Sequence, residues 1–317
     1  MSTGQEARGR RRAPRRWLGT LTNEQLGRRT VALVLAVTSV VAVGVMVNAI
    51  TGREERAGAP VPTTSPPRTA HPTTRLPADV VAGPDTTGVR DGTTLEPFRA
   101  DGALDEDGLV LEGVLVEGDL ELVGADQVLR NSRVEGHVVV RGTGVTLEDS
   151  EVGALSVASA TQVVVRRVEV FGNPGSDGVH VTSGDGPRAA DVLIEGSWVH
   201  SPQVEADSHY DGIQVRGVDH LTLRGNTFDL GPWHEQYNAA IFLEEANGGN
   251  VDVLVERNTV NGGGYALYVA GQGVRLIDNR FGRDANWGLL YPEHPPFEES
   301  GSAWADDGSP LSLLDGA

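Results

Sequence analysis

Apolar and polar residues alternate in a short pattern that recurs through residues 109–282. Each instance has six residues, with an apolar residue at the first position, usually Ser or Asn at the fourth, and Val or Phe at the last. The first residues of successive instances lie 18, 18, 18, 29, 29, 32 and 21 positions apart. The eight instances are Leu111–Val116, Leu129–Val134, Leu147–Val152, Val165–Val170, Ile194–Val199, Leu223–Phe228, Val255–Val260 and Leu276–Phe281.

This spacing indicates a solenoid, because a unit of this size can bury its apolar face only against its neighbours. The period-2 alternation, the excess of Val, Ile and Thr, and the Gly or Asn at the corners predict strands rather than helices. Leucine-rich repeats and propellers are disfavoured, since the unit is short and lacks their Leu or Trp-Asp signatures. Stacked coils would place Asn226, Asn258 and Asn279 above one another as an internal Asn ladder.

The repeat and the Asn ladder resemble the right-handed parallel β-helix proteins of the pectate-lyase-like superfamily, also called the pectin-lyase fold. The resemblance covers about residues 100–282. It implies an all-β fold, with a right-handed parallel β-helix over residues 99–282. Residues 283–317 lack the repeat and are expected to form a C-terminal cap or tail, which would close the open end of the solenoid.

A second strand is predicted in the longer coils, where Val179, Ile213, Ile241 and Leu267 would stack facing inward. Alternation then sends three rows outward. The first row is a predicted groove floor of small residues, which suits an extended sugar chain, although small residues are also tolerated on any exposed sheet. The three rows are Gly178, Gly212, Ala240 and Ala266; His180, Gln214, Phe242 and Tyr268; and Thr182, Arg216, Glu244 and Ala270.

The N-terminal region predicts a membrane anchor. Thr30–Ile50 has no charged residue and is long enough to cross a bilayer as a helix. Arg28 and Arg29 precede it, so the basic tail of residues 1–29 is expected in the cytoplasm and the β-helix outside. Cleavage near Ala49, which would release the protein, is the alternative. Residues 51–98 are rich in Pro and Thr and predict a disordered linker.

Composition and charge exclude several functions. The 317 residues include no Cys and no Lys, so a thiolate nucleophile and a Lys base are excluded. Before residue 51 there are eight Arg against two acids, a charge of +6, whereas the remainder has 18 Arg against 42 acids, a charge of −24. The net charge of −18 therefore describes a basic tail on an acidic body. An acidic body argues against a nucleic-acid partner.

Candidate chemistry concentrates between residues 180 and 234, which hold five of the eight His. Within Ser208–Gln214, His209 and Asp211 resemble the His-x-Asp-Gly-Ile-Gln signature of secreted, polysaccharide-lyase-like β-helix proteins. The segment also resembles, more weakly, the Asn-Thr-Asp-Gly strand of polygalacturonases, whose Asp is catalytic. Here His-Tyr replaces Asn-Thr, and neither an Asp-Asp pair nor Gly-His-Gly follows.

Carboxylates in this region suggest a cation site. Asp177 and Asp211 open equivalent strands of successive coils and are expected about 4.8 Å apart. Such a pair either shares a proton or binds a cation. Together with Glu244, it would suit Ca²⁺, a hard cation that prefers oxygen ligands. The alternative is that each Asp caps a corner turn.

Three functions remain open. Lyase-like cleavage of a uronate-containing polysaccharide would use His209, His200, a Tyr or Arg216 as the base. The resemblance includes lyases with an Arg base, but for Arg216 an ion pair with its row neighbour Glu244 is expected over a role as base. Hydrolysis would use two carboxylates. The third function is glycan binding or a cell-envelope role without catalysis. Trp233 and Tyr237, in a long insertion, would either stack on a sugar ring or pack the loop.

Overall fold

The computed structural model describes residues 80–314, and within them every strand belongs to three parallel stacks that we call sheets 1, 2 and 3. Sheet 1 contains Val110–Glu112, Val128–Arg130, Thr146–Glu148, Val164–Arg166, Ala189–Glu195, Val218–Arg224, Val251–Glu256, Arg275–Ile277 and Glu298–Ser300. Sheet 2 contains Glu96–Pro97, Val114–Val116, Glu169–Val170, Trp198–His200, Thr227–Asp229, Thr259–Asn261, Arg280–Phe281 and Ala303–Trp304. Sheet 3 contains Leu120–Leu122, Val179–Thr182, Tyr210–Arg216, Tyr237–Leu243, Tyr265–Tyr268 and Gly288–Leu290.

Two long strands, Arg133–Val140 and Glu151–Ala158, run through the bend from sheet 2 into sheet 3 and join the two by hydrogen bonds. Each coil of the chain passes from sheet 1 to sheet 2 to sheet 3 and back. All strand pairs are parallel, and residues 80–314 contain no helix. This chain is a parallel β-helix.

The six-residue windows cross the corner between sheets 1 and 2. The third window position adopts the left-handed conformation, with φ of 49° at Asn131 and Asp149 and 59° at Gly196. Asn, Asp and Gly tolerate this conformation better than other residues do, which explains the small or polar residue at that position.

The fourth window position forms the predicted ladder, and this prediction is confirmed. The Oδ1 atom of Asn258 accepts from the backbone N of Asn226 at 2.9 Å, and Oδ1 of Asn279 accepts from the backbone N of Asn258 at 3.0 Å. Ser197 continues the ladder, since its backbone N donates to Asn226 Oδ1 at 2.9 Å. These polar side chains lie inside the coil, where each hydrogen bond satisfies a group that water cannot reach.

The core is a column of stacked aliphatic side chains inside the coil. Leu129, Leu147 and Leu223 of sheet 1 are fully buried, as is Ile213 of sheet 3. Each coil buries its apolar face against the coils above and below, as a solenoid requires.

Alternating charges line the outer face of sheet 1. Within this row Arg166 pairs with Glu195 at 3.1 Å, and their side chains are 9% and 6% exposed. Three Arg of the body are thereby paired with Glu on the outer face of sheet 1. In register order the row is Glu112, Arg130, Glu148, Arg166, Glu195, Arg224 and Glu256.

Both ends of the described chain depart from the predicted boundaries. Residues 80–98 fall within the predicted linker, but Ala82 is buried, and the backbone N of Gly88 donates to the carbonyl of Arg167 at 3.0 Å. At the other end, each sheet gains a strand after residue 282, where a cap was expected. The chain then folds back and buries Leu313 against the core, as a cap does.

The predicted membrane segment Thr30–Ile50 lies outside the described residues. Over residues 80–314 we find no helix with the length and apolar character needed to cross a bilayer.

Candidate functional site

The outer face of sheet 3 carries the predicted rows in the predicted register. His180 pairs with Gln214, Gln214 with Phe242, and Phe242 with Tyr268. All four side chains are partly exposed. The row therefore passes from polar to aromatic along the axis of the coil. The loops that connect sheet 2 to sheet 3 border this face and include residues 201–209 and 230–236.

The predicted groove floor is wrong. Ala240 and Ala266 are 0% and 1% exposed and belong to the hydrophobic core, and both Gly178 and Gly212 are buried as well. A Cβ on Gly212 would lie 3.0 Å from a methyl of Leu230, which follows sheet 2. The strand bends where sheet 2 meets sheet 3, so the row faces the inside of that bend instead of solvent.

Arg216 is the centre of the polar half of the face. Its Nε donates to Nε2 of His180 at 3.1 Å, and its Nη1 contacts Oε2 of Glu244 at 3.5 Å. The predicted ion pair with Glu244 is thus confirmed, and both side chains remain about one-third exposed. A guanidinium with solvent access can still bind an incoming carboxylate.

His180 is neutral in this environment. Burial, together with the positive charge of Arg216 and the nearby His137, lowers the pKa of His180 to about 4. Neutral imidazole leaves Nε2 free to accept from Arg216, so the ring orients the guanidinium. Two coils away, His137 contacts Oγ of Ser156 at 2.8 Å, and burial lowers the pKa of His137 too.

Asp177 and Asp211 are adjacent, as predicted, but they differ in exposure. Oδ1 of Asp177 accepts from the backbone N of Asp211 at 2.9 Å. Asp211 is fully buried; its Oδ1 accepts from Asn238 at 2.8 Å, and its Oδ2 has no hydrogen-bond partner. Asp211 is therefore enclosed and does not share an open groove with His209 and His180. Burial raises the pKa of Asp211 well above its usual range, and Asp177 raises it further.

Tyr210 adds a second buried group. Its side chain is 2% exposed and its hydroxyl has no hydrogen-bond partner. Burial raises the pKa of this hydroxyl, followed by the charge of Asp177. Burial also raises the pKa of Asp177, whereas the hydrogen bond from the backbone N of Asp211 and the charges of His209 and Arg216 lower it. His209 is exposed in the loop at the edge of this face.

The aromatic half of the face is larger than the sequence predicted. Phe242 and Tyr268 lie 4.9 Å apart between ring centroids, and Tyr268 stacks on Tyr291 at 4.5 Å. Trp287, 52% exposed, continues the cluster and contacts Trp233, 39% exposed, at 6.2 Å. Burial raises the pKa of Tyr268 to about 12.

Tyr237 lies apart from this cluster, at the start of its strand. Its ring is 6.0 Å from that of Tyr210 and 5.5 Å from that of His234. Tyr237 therefore packs the loop of residues 230–236 against the site, the second of the two roles considered for it.

His200 is not brought to the other candidates. It lies on the outer face of sheet 2, where its ring stacks on Trp198 at 3.6 Å. Its Nε2 contacts Glu169 at 3.0 Å and its Nδ1 contacts Ser201 at 2.7 Å. His200 therefore contacts Glu169 and Trp198 on sheet 2, and its role as an alternative base beside His209 stays a prediction.

The cation hypothesis has limited geometric support. Within the described part of the chain, no three Asp, Glu or His side chains are positioned to hold a metal ion. Asp177, Asp211 and Glu244 influence one another electrostatically, but Asp211 is enclosed and Glu244 pairs with Arg216. Binding of Ca²⁺ there stays a prediction.

Some residues of the face were missed from the sequence. Trp287 and Tyr291 lie beyond the end of the repeat, and the ring of Tyr265 lies 5.6 Å from that of Trp287 and 5.4 Å from that of Tyr291. Ser156 could have been predicted from the sequence, because it is the register partner of His180 on the preceding coil and belongs to the same outward row.

No protein-family model matches the chain, and no curated protein matches its sequence. A solved structure with similarity is the A-module of a mannuronan C-5 epimerase of Azotobacter vinelandii, 18% identical, covering 62% of this chain and 64% of that chain with a TM-score of 0.46. PfbA, a surface adhesin of Streptococcus pneumoniae, is 12% identical over 63% of this chain and 65% of its own, with a TM-score of 0.37. This chain thus spans less than two thirds of either structure, and similarity at this level carries no argument about activity.

Proposed function

We propose that this protein is an extracytoplasmic, polysaccharide-active β-helix protein that binds an acidic glycan along the outer face of sheet 3 and cleaves it by a lyase-like reaction. The observation that supports the proposal is the partly exposed Arg216 between His180 and Glu244, beside the aromatic row. An acidic body otherwise repels an anionic polymer, so an oriented guanidinium on this face is the group that would attract one.

In the proposed reaction Arg216 binds the carboxylate of a uronate residue. The guanidinium would stabilise the negative charge that develops when the proton on the adjacent carbon is removed. His180 holds the guanidinium from one side and Glu244 from the other, so little reorganisation is needed on binding.

His209 is the proposed base, because it is exposed at the edge of the face and lies near enough to Asp177 to influence its pKa. It would take the proton, the electron pair would form a carbon–carbon double bond, and the bond to the leaving glycosidic oxygen would break. Asp177 would donate a proton to that oxygen; burial raises its pKa and so favours the protonated form. Asp211, enclosed below, acts on Asp177 and does not contact the sugar.

The aromatic half would bind the neighbouring sugar residues. Trp233 and Trp287 are exposed, and their flat apolar faces suit the apolar faces of pyranose rings. This surface alone also supports the second candidate function, glycan binding without cleavage.

A substrate screen with the purified full chain separates these functions. Polymers of mannuronate, guluronate and galacturonate, and neutral polysaccharides, are incubated with Ca²⁺ or with a chelator. New ultraviolet absorbance from an unsaturated product supports the lyase proposal, and its loss with the chelator supports the Ca²⁺ prediction. Reducing ends without that absorbance indicate hydrolysis, and binding without either product indicates the non-catalytic alternative.

A matched pair of variants tests the base. His209→Asn should lower the rate by about 100-fold or more, the usual contribution of a general base. His220→Asn, at an exposed residue of sheet 1, should leave the rate unchanged. Equal rates for the two variants would reject His209 as the base.

A further inference from the structure

A second polar depression lies on the outer face of sheet 2, around the bend from the sheet 3 face. Its volume is about 440 Å³, within the range of small-ligand pockets. Its lining includes Thr227, Asp229, Asn261, Arg283, Asp284 and Asp306.

Asn261 organises this depression. Its Nδ2 donates to Oδ1 of Asp229 and to Oδ2 of Asp284, both at 2.9 Å, and its Oδ1 accepts from the backbone N of Asp284 at 3.3 Å. A Cβ on Gly282 would lie 2.0 Å from that Oδ1, so Gly at this position leaves room for the amide. The second oxygen of each carboxylate, Oδ2 of Asp229 and Oδ1 of Asp284, has no hydrogen-bond partner in residues 80–314.

Thr227 provides an independent indication of a ligand. It precedes the inward-facing Phe228, so its side chain lies on the outer face, in the lining of the depression. The residue is 7% exposed and its hydroxyl has no hydrogen-bond partner. A buried hydroxyl without a partner is costly, and a ligand hydroxyl reaching it would remove that cost.

Arg283 is held at the rim of the depression. Its guanidinium lies 4.1 Å from the ring centre of Trp304 and donates to both oxygens of Asp306, at 2.7 and 3.0 Å. On the opposite side, Trp198 is the register partner of Thr227 and is partly exposed. The depression is thus bounded by a fixed cation, and an indole ring lies on the next coil beyond Thr227.

We propose that this depression binds a neutral, hydroxyl-rich sugar residue of a glycan. Vicinal sugar hydroxyls would donate to the free oxygens of Asp229 and Asp284 and accept from Arg283, while Trp198 would contact the ring. Three carboxylates against one guanidinium make the site net negative, so a uronate is disfavoured. This proposal concerns a different face from the proposed uronate site and does not depend on it.

Titration calorimetry with the full chain tests the proposal, using linear neutral oligosaccharides of glucose, mannose, galactose and N-acetylglucosamine as probes. Asp229→Asn and Asp284→Asn keep the side-chain shape but weaken the acceptors, so each should lower the affinity of the best probe by tenfold or more. Asp252→Asn, at a partly exposed Asp of sheet 1 that pairs with Arg275, is the matched control and should bind as the unaltered protein does.

Circular dichroism establishes that each variant is folded. Arg216→Gln, on sheet 3, distinguishes binding in the sheet 2 depression from binding on the sheet 3 face. Neutral-sugar affinity should be unchanged in Arg216→Gln. The proposal is overturned if no neutral probe binds, if Asp284→Asn binds as well as the control, if Arg216→Gln removes the binding, or if Ca²⁺ alone occupies the site.

Discussion

Replacement of Asn258 by Ala tests the internal ladder. The side chain is fully buried and makes four hydrogen bonds. It donates to the carbonyl of Leu223 at 2.9 Å and to Asn279 at 3.1 Å, and its Oδ1 accepts from the backbone N and the Nδ2 of Asn226 at 2.9 and 3.0 Å.

The expected cost follows from the groups left without a partner. In Asn258→Ala the backbone N–H of Asn226 loses its acceptor, and the carbonyl of Leu223 loses the side-chain donor. Nδ2 of Asn226 keeps its bond to Ile194 at 2.9 Å. Two buried groups at about 1–3 kcal/mol each give a loss in the free energy of unfolding of about 4 kcal/mol.

Urea unfolding of the full chain measures this loss as a shift of the midpoint at constant slope. Asn258→Ser should lose about half as much, because a hydroxyl can accept from the N–H of Asn226, as Ser197 does for Val168 at 3.1 Å. Asn286→Ala, at an exposed Asn, is the control and should change stability by about 0.5 kcal/mol or less. A loss for Asn258→Ala no larger than that of the control would refute the assignment of a stabilising ladder.

Three further results are expected. Because burial raises the pKa of Asp211, the folded state keeps a proton that the unfolded state releases, and stability should fall as pH rises above the usual carboxyl pKa of 3.8. Asp211→Asn should show a smaller fall, and parallel curves of unfolding free energy against pH for the two proteins would contradict this. Since the pKa of His180 is lowered from 6.5 to about 4, its ring should titrate near pH 4 by NMR, and the stability that it contributes should be lost on acidification through that range. Trp287→Ala should weaken glycan binding about fivefold, the equivalent of about 1 kcal/mol, with stability nearly unchanged. An unchanged affinity by calorimetry would show that the aromatic half is not part of the site.

The parts of the structure that depend on strict periodicity could be predicted from the sequence. A period of two along each strand determines which side chains share a row, and equivalent positions in successive coils determine their register. The inward row of Ile213 and the outward pairing of His180 with Gln214 follow directly. The ladder of Asn226 and Asn258 follows from the same reasoning, since one corner position recurs in every coil.

The parts that depend on the bend between sheets could not be predicted in the same way. The register between Tyr210–Arg216 and Tyr237–Leu243 shifts at Tyr210 and Asp211, so strict alternation fails at the start of the strand. Asp211 and Gly212 are both buried there, although neighbours in a regular strand face opposite sides. His200 and His209 are close in sequence, but the same bend separates their faces.

Contacts that involve residues outside the repeat could not be predicted from the sequence either. Trp287 packs on Gly264, where a Cβ would lie 2.2 Å from the indole ring, and no spacing rule connects these positions. The network of Asn261 with Asp229 and Asp284 joins three coils, and only the first two of these residues lie in the predicted repeat.

A crystal structure of the full chain with a bound uronate oligosaccharide tests the central claim, that the outer face of sheet 3 is the acidic-glycan site. The account predicts sugar density along the row from His180 to Tyr268, with a uronate carboxylate within hydrogen-bond distance of Arg216. Calorimetry should show at least a tenfold loss of affinity in Arg216→Gln and no loss in Arg130→Gln, an Arg of similar exposure on sheet 1. Density for the oligosaccharide on sheet 1 or sheet 2, with equal affinities for the two variants, would contradict it.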